Sequence, residues 1–174
     1  MSNKNILIFG ASGFIGTYLI DELVRQGHHV VASDTNETDR EYYDHKNVNY
    51  VVADIKKKEN FDRFENEKFD AVIHLAACQP ANVAGENYDP RDYINVNVIG
   101  TLNILEYCRK NEVGKIICAS SHRNTQGLWA GKKIISEDDG RGIKYSGEYA
   151  MFSISESAAQ DCVQGLGQPL RVGG

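Results

Sequence analysis

Three glycines follow an apolar run near the start of the chain. The run Asn5–Phe9 leads into Gly10, Gly13 and Gly16 within the segment Gly-Ala-Ser-Gly-Phe-Ile-Gly. This spacing is typical of a buried strand that turns sharply into a helix, whose first backbone N–H groups lack partners and attract a pyrophosphate. We assign Gly10 to the turn, Gly13 to close approach of phosphates and Gly16 to packing of the helix on the strand.

Acidic residues close the next two apolar runs, where a parallel sheet would present them to the same ligand. Asp34 can accept both hydroxyls of an adenosine ribose and would repel a 2′-phosphate, so it predicts NAD rather than NADP. The alternative is that Asp34 only begins a turn. Asp54 and Ile55 predict contacts to the adenine amino group and ring, or else Asp54 is a helix cap.

The elements that must position these residues alternate between strands and helices. The predicted strands are 5–9, 29–33, 48–53, 71–76 and 115–119, and the predicted helices are 14–26, 61–66, 89–111 and 145–163. Strands this apolar along their length indicate a parallel sheet covered by helices. Right-handed crossovers then give an α/β, Rossmann-type, doubly wound, three-layer fold of order 3-2-1-4-5.

Residues 1–164 are predicted to form one dinucleotide-binding domain, and 165–174 a frayed tail or the stump of a sixth strand at Pro169–Val172. Segments 36–46 and 123–142 are predicted to be irregular connections.

Leu75, Ala76 and Ala77 are small enough for backbone to run beside the nicotinamide half of the cofactor. The long helix is expected to start at Asp89-Pro90. Its expected buried stripe is Ile94, Val98, Leu102 and Leu105, with Ile99 and Ile104 as further apolar positions.

The composition excludes several classes of partner. A net charge of −5 gives no case for binding nucleic acid or an anionic membrane. No segment approaches the ~20 apolar residues of a membrane span, and the start of the chain lacks a signal-peptide pattern. The four cysteines show no C-x-x-C spacing, which predicts reduced thiols in a cytoplasmic protein. The histidine spacing predicts no metal site.

The residues 5–121 resemble the extended short-chain dehydrogenase/reductase family, which includes NAD-dependent sugar-nucleotide epimerases and dehydratases. The motifs that carry the resemblance are Gly10–Gly16, Asp34, Asp54-Ile55, His74–Ala77, Asn95–Leu105 and Ala119–Ser121. It implies that Ser12, Phe14 and Ile15 lie at the pyrophosphate, with the last two offering N–H groups. It also implies that Asn97 braces the site from the long helix.

The same resemblance implies a catalytic hydroxyl after strand five. Ser120 or Ser121 would supply it, and we favour Ser121. The segment His122–Gly127 lacks the family's usual tyrosine, and its sequence is more similar to that of a uronate-dehydrogenase-like branch. His122 and Asn124 are therefore substrate-contact candidates.

The family's proton relay is Tyr-x-x-x-Lys on the last helix, in which the lysine lowers the pKa of the tyrosine. Here the aligned positions are Phe152, which has no hydroxyl, and Glu156, which has the opposite charge. Tyr149, three residues earlier on the same predicted helix face, is a candidate substitute hydroxyl.

Relatives in this family continue beyond the point where this sequence stops, so a sugar-nucleotide pocket would be half built. Three interpretations stay open: an NAD-dependent epimerase, dehydratase or dehydrogenase with weak or absent activity, a dinucleotide- or partner-binding module without turnover, and a shortened or altered form of an enzyme. The resemblance also implies a homodimer through the long helix and the last helix.

Overall fold

A computed structural model describes residues 3–36, 43, 47–82, 89–136, 139–147 and 149–166. The chain divides into two compact units, residues 1–77 with 103–119 and residues 78–102 with 120–174. The predicted sixth strand at Pro169–Val172, and the predicted tail from residue 167 onward, lie outside the described residues. Among the helices that are described, none has the length and apolar character needed to cross a membrane.

The first unit is built on a parallel sheet of five strands. These are β1 Asn5–Phe9, β2 His29–Asp34, β3 Val48–Val52, β4 Ala71–His74 and β5 Ile116–Cys118. They pair in the order β3-β2-β1-β4-β5, so the predicted α/β fold and strand order are confirmed. In this register Phe9, the last residue of β1, lies beside Ser33 on one side and His74 on the other. The carboxyl ends of the central strands therefore meet at one edge.

Alternate side chains of β1 point to opposite faces of the sheet. Ile6 and Ile8 pack in a cluster with Ile20 of helix α1, which spans Phe14–Arg25. On the other face, the ring of Phe9 contacts Phe61 and Phe64 at centroid distances of 5.5 and 5.6 Å. Helical layers thus cover both faces, which is why the strands are apolar throughout.

The strands and α1 of this unit end within one or two residues of their predicted bounds, and two differences are informative. The helix expected at 61–66 is a 3₁₀ helix over Lys58–Phe64, which begins three residues earlier. Strand β4 ends at His74 rather than at residue 76. Its last bond to β1 runs from Leu75 N–H to Phe9 O, because β1 itself ends at Phe9, where the chain turns at Gly10.

A helical run joins β4 to β5. It consists of α2 (Arg91–Tyr93), a π-helical stretch (Ile94–Gly100) and α3 (Thr101–Lys110). The predicted buried stripe of this run is largely wrong. Leu105 is buried, but Ile94, Val98 and Leu102 are only half-buried. The deeply buried positions are instead Tyr93, Asn97, Thr101 and Ile104.

Hydrogen bonding explains why polar residues occupy that buried face. Thr101 Oγ1 donates to Asn97 O, and the Asn97 amide is satisfied by three hydrogen bonds. A buried polar group costs little once it is paired, so a search for apolar spacing alone overlooks such positions.

The last helix, α4, spans Ala150–Leu166 and begins five residues later than predicted. Gly147 has φ +91°, a left-handed backbone conformation that a continuing helix cannot contain. The buried face of α4 consists of Phe152, Ser153, Ser155 and Ser157. The connection predicted to be irregular at 123–142 includes most of a 3₁₀ helix, His122–Leu128.

Candidate functional site

The turn between β1 and α1 has the geometry that its glycines predict. Gly10 has φ +79°, and a Cβ there would lie 2.6 Å from Leu75 C and closer still to Ala76 N. Gly16 is equally constrained, since its Cβ would lie 2.7 Å from Gly10 O and closer to Ala11 O. Gly16 thus packs against the turn itself, whereas the prediction placed it against the strand.

The start of α1 is open. Gly13 is the N-cap residue, and within the described part of the chain no side chain caps this helix end. Apart from its chain neighbours, a Cβ on Gly13 would meet only Gly10 O, at 3.3 Å, among the described atoms within 4 Å. The side chains of Phe14 and Ile15 are 81% and 60% exposed. First-turn N–H groups have no acceptor within a helix, so this end fits a phosphate group.

Asp34 contacts the same turn. Its Oδ2 accepts a hydrogen bond from Ser12 N–H at 3.0 Å, and its Oδ1 accepts one from Thr35 N–H at 2.8 Å. Two predicted cofactor residues, Ser12 and Asp34, are thereby brought together. The Thr35 bond also shows that Asp34 helps to form the turn after β2, which agrees with the turn-forming alternative; its contact with a ribose stays a prediction.

The residues after β3 already have hydrogen-bond partners within the described part of the chain. Asp54 Oδ1 accepts a bond from Lys56 N–H at 3.0 Å, and Asp54 N–H donates to Asn60 Oδ1 at 2.9 Å. Ile55 is 5% exposed, and its carbonyl accepts a bond from Asn103 Nδ2 at 2.8 Å. Their contacts with adenine stay a prediction. Leu75, Ala76 and Ala77 are half-buried.

Two tyrosines that sequence reasoning did not select also reach the turn. Tyr43 OH donates to Ala11 O at 2.8 Å, and Tyr50 OH lies 3.3 Å from Ser12 Oγ. Tyr43 falls in a stretch predicted to be an irregular polar connection, and Tyr50 is an ordinary strand residue in the sequence pattern. The sequence signal for Tyr43 is the pair of adjacent tyrosines, Tyr42 and Tyr43, within a polar segment.

In the second unit, Asn97 holds the chain after β4. Its Oδ1 accepts from Cys78 N–H at 2.7 Å, and its Nδ2 donates to Cys78 O at 3.1 Å and to Ser155 Oγ at 2.9 Å. Asn97 is 2% exposed. This amide therefore connects the segment that follows β4 with α4; that it braces a cofactor site stays a prediction.

The serines after β5 have different partners. Ser121 Oγ accepts a bond from Arg123 N–H at 3.2 Å and so caps the 3₁₀ helix. Ser120 Oγ lies within a network in which Asn124 Nδ2 donates to Ser120 Oγ and Gln160 Oε1, both at 3.2 Å. Asn124 is 3% exposed, so its amide supports this segment from inside.

An aromatic and cationic cluster surrounds the start of the same 3₁₀ helix. The exposed His122 ring stacks on Trp129 at 5.5 Å with an interplanar angle of 3°. The Arg123 guanidinium lies 5.6 Å from the Trp129 ring and 4.2 Å from the Tyr149 ring. Tyr149 precedes α4, so its predicted place on the same helix face as Phe152 is wrong: the break at Gly147 puts it in a turn.

The relay positions carry neither a hydroxyl nor a cation. Phe152 is 8% exposed and packs in a cluster with Cys78 and Tyr93, its ring 6.1 Å from that of Tyr93. Burial raises the pKa of the Glu156 carboxyl from 4.5 to about 7, because removal from water disfavours the charged form. Glu156 thus keeps its proton to a higher pH than an exposed glutamate does, and it cannot supply a positive charge at this position.

Comparison with known proteins identifies the family. The model of the NAD dependent epimerase/dehydratase family matches residues 6–150. The UDP-glucose 4-epimerase of Pisum sativum is 31% identical over 132 residues, covering 69% of this chain and 37% of that protein. The chain therefore spans much less than two thirds of the length of this relative.

Solved structures give the same result. The UDP-glucose 4-epimerase of Thermus thermophilus in complex with NAD superposes with a TM-score of 0.80 and 28% identity, over 94% of this chain and 51% of that one. MoeE5 in complex with UDP-glucuronic acid and NAD gives 0.76 and 26%, over 95% of this chain and 50% of that one. Fold, motif order and the extent of the family match agree: this chain belongs to the NAD dependent epimerase/dehydratase family.

Proposed function

We propose that the first unit binds NAD at the turn between β1 and α1. The observation that carries this proposal is the bond from Ser12 N–H to Asp34 Oδ2, at 3.0 Å. It joins the glycine turn, which has the shape and open N–H groups for a pyrophosphate, to a carboxylate that suits a ribose. Each feature alone is common in proteins, whereas the two in contact fit one ligand.

The residues of this unit would each have a separate role. The N–H groups of Phe14 and Ile15 would hold the pyrophosphate, since unpaired amides and the helix dipole favour negative charge. Asp34 would accept the ribose hydroxyls and repel a 2′-phosphate, which favours NAD over NADP. When bound, the nicotinamide supplies a hydride acceptor or donor.

We further propose that the chain is of the sugar-nucleotide epimerase/dehydratase type, with weak or no turnover as written. Ser121 would orient a sugar oxygen and His122 would contact the substrate, a sugar nucleotide or a uronate, while the buried Asn124 would hold this segment in place. Loss of a general acid–base group typically costs about 10²–10⁴-fold in rate. With Phe152 and Glu156 at the relay positions, this chain lacks both parts of that catalysis.

The second candidate is a dinucleotide- or partner-binding module with no turnover. The observation that favours it is the packing of Phe152 against Tyr93 and Cys78, which gives this position a structural role in place of a chemical one. Both candidates need the same cofactor site, so they differ only in the chemistry of the second unit.

A homodimer would suit the half-buried apolar residues of the helical run. Ile94, Val98 and Leu102 are half-buried, and Ile99 is 41% exposed. We therefore propose that two copies of the chain pair through this run and α4; a monomeric mass by light scattering in dilute solution would contradict this pairing.

The four cysteines are free thiols, which fits the proposed cytoplasmic location.

Calorimetric titration with NAD and NADP tests the cofactor proposal. We expect NADP to bind at least about tenfold more weakly than NAD, a difference of about 1.4 kcal/mol. Asp34→Asn keeps the acceptor for Ser12 N–H but removes the negative charge, so it should reduce the ratio of the affinities for NAD and NADP. Asp21→Asn, at an exposed position of α1, is the matched control and should leave the ratio unchanged. A native preference for NADP would overturn the assignment of Asp34.

A further inference from the structure

A stacked pair of buried tyrosines lies against the proposed phosphate-binding turn. Tyr43 and Tyr50 are 3% and 7% exposed. Their ring centroids lie 5.2 Å apart with an interplanar angle of 4°, and both belong to the core cluster that includes Ala11. The rings would be held by this packing even without their hydroxyl groups, so the partners of the hydroxyls are informative.

Each hydroxyl is directed at a backbone carbonyl beside the proposed cofactor site. Tyr43 OH donates to Ala11 O at 2.8 Å, and Tyr50 OH donates to Asn36 O at 2.6 Å. Ala11 lies between Gly10 and Gly13, and Asn36 comes two residues after Asp34. One tyrosine thus fixes the glycine turn, and the other fixes the segment that follows the ribose-binding carboxylate.

Ser12 links these two contacts. Its Oγ lies 3.3 Å from Tyr50 OH, and Tyr50 has a single hydroxyl proton, which goes to the carbonyl of Asn36. The Ser12 hydroxyl therefore donates to Tyr50. Its backbone N–H donates to Asp34 Oδ2. Ser12 is consequently held through both its hydroxyl group and its backbone N–H.

We propose that Tyr43 and Tyr50 are positioning residues that keep the glycine turn and the end of β2 in the geometry for binding before the cofactor arrives. This inference rests on the proposed NAD site. Ordering a loop costs conformational entropy on binding, so a turn that is already ordered binds more tightly. A loop of glycines and small residues needs such support more than most.

Amide hydrogen exchange of the ligand-free chain tests the positioning directly. Tyr43→Phe and Tyr50→Phe keep the ring stack and remove only the hydroxyl. The matched control is Tyr107→Phe, since Tyr107 is also buried in the first unit and donates to a backbone carbonyl, that of Phe64, at 3.3 Å. We expect faster exchange at the amides of residues 10–13 in both variants and not in the control. Unchanged exchange there would overturn the proposal, whether or not NAD binds.

Ligand affinity distinguishes positioning from a general loss of stability. Loss of one hydrogen bond that orders the turn should weaken NAD binding by roughly 3–10-fold in Tyr43→Phe. Adenosine has no phosphate, so its binding, followed by NMR titration, should be unchanged, and Tyr107→Phe should alter neither. Equal weakening of NAD and adenosine, or no weakening of NAD, would contradict the role of Tyr43. Failure of the native chain to bind NAD would instead refute the proposed function, and the exchange measurement alone would then decide on the tyrosines.

Discussion

The β1–α1 turn and the buried face of α4 use backbone and side chains in opposite ways. In the turn, Gly13 is exposed and the N–H groups after it have no side-chain cap among the described residues. On α4, the position where relatives are expected to carry a reactive hydroxyl is Phe152, which is packed into a core. The first region leaves its polar groups available to a ligand, and the second encloses an apolar ring.

This contrast shows that cofactor binding and proton transfer depend on separable features. The turn depends on backbone shape, which three glycines and one carboxylate specify within a short stretch of sequence. The relay depends on two side-chain functional groups, and two substitutions remove it while leaving the helix in place. Asn97 still connects α4 with the chain after β4, so this part of the second unit is ordered although Phe152 and Glu156 supply neither a hydroxyl nor a cation.

The largest expected effect comes from giving the second region the missing relay. Phe152→Tyr combined with Glu156→Lys should raise the rate of NAD reduction with UDP-sugars or uronates by about 10²–10⁴-fold. Phe152→Tyr alone should gain much less, because a nearby carboxylate raises rather than lowers the pKa of a phenol. Absorbance at the NADH band gives the rates, and thermal melts check that each variant is folded. A native chain as fast as the double variant would remove the contrast between the regions.

The next effect tests the backbone shape of the first region. Gly10→Ala would force a Cβ onto the backbone of Leu75 and Ala76 at a positive φ, which should lower the free energy of unfolding by about 3 kcal/mol or more. Gly165→Ala is the matched control, since no described atom lies within 4 Å of its Cβ and alanine favours a helix by up to about 1 kcal/mol. Urea unfolding measures both. Equal stability of the two variants would mean that the turn tolerates a side chain.

The smallest effect concerns the charge of Glu156. Its pKa is about 7 in the folded chain, against 4.5 for an unperturbed glutamate. The unfolded state therefore releases its proton first as the pH rises, and stability falls between about pH 4.5 and 7. The free energy of unfolding should fall by about 2 kcal/mol over this range, a value reduced for the part of the side chain that water still reaches.

Glu156→Gln isolates this effect. His74 titrates in the opposite sense, because burial lowers its pKa to about 4 and its contribution to stability rises with pH up to about 6.5. Because His74 is present in both proteins, its contribution cancels when the free energy of unfolding of the native chain is subtracted from that of the variant at each pH. The variant should gain stability relative to the native chain from pH 4.5 to 7 in urea unfolding; a constant difference would show that Glu156 is hydrated and ionised.

The apolar pattern predicted the strands and their order, but it did not predict individual hydrogen-bond partners or the exact start of α4. The turn at Gly10 and the carboxylate of Asp34 were predictable because both end apolar strands of recognisable pattern. Tyr43 was not, because its bond to Ala11 O joins residues 32 positions apart. The burial of Asn97 was missed for the same reason, since its partners Cys78 and Ser155 come from other segments. The start of α4 depended on the backbone angle of Gly147, which no spacing of apolar residues reveals.

A crystal structure of the chain with NAD, at a concentration that calorimetry shows to be saturating, tests the central claim most directly. We predict the diphosphate within about 3 Å of the N–H groups of Phe14 and Ile15, with ribose hydroxyls on the Asp34 carboxylate. NAD bound elsewhere on the chain, with the turn at Gly10–Gly16 making no contact to its phosphates, would contradict the account.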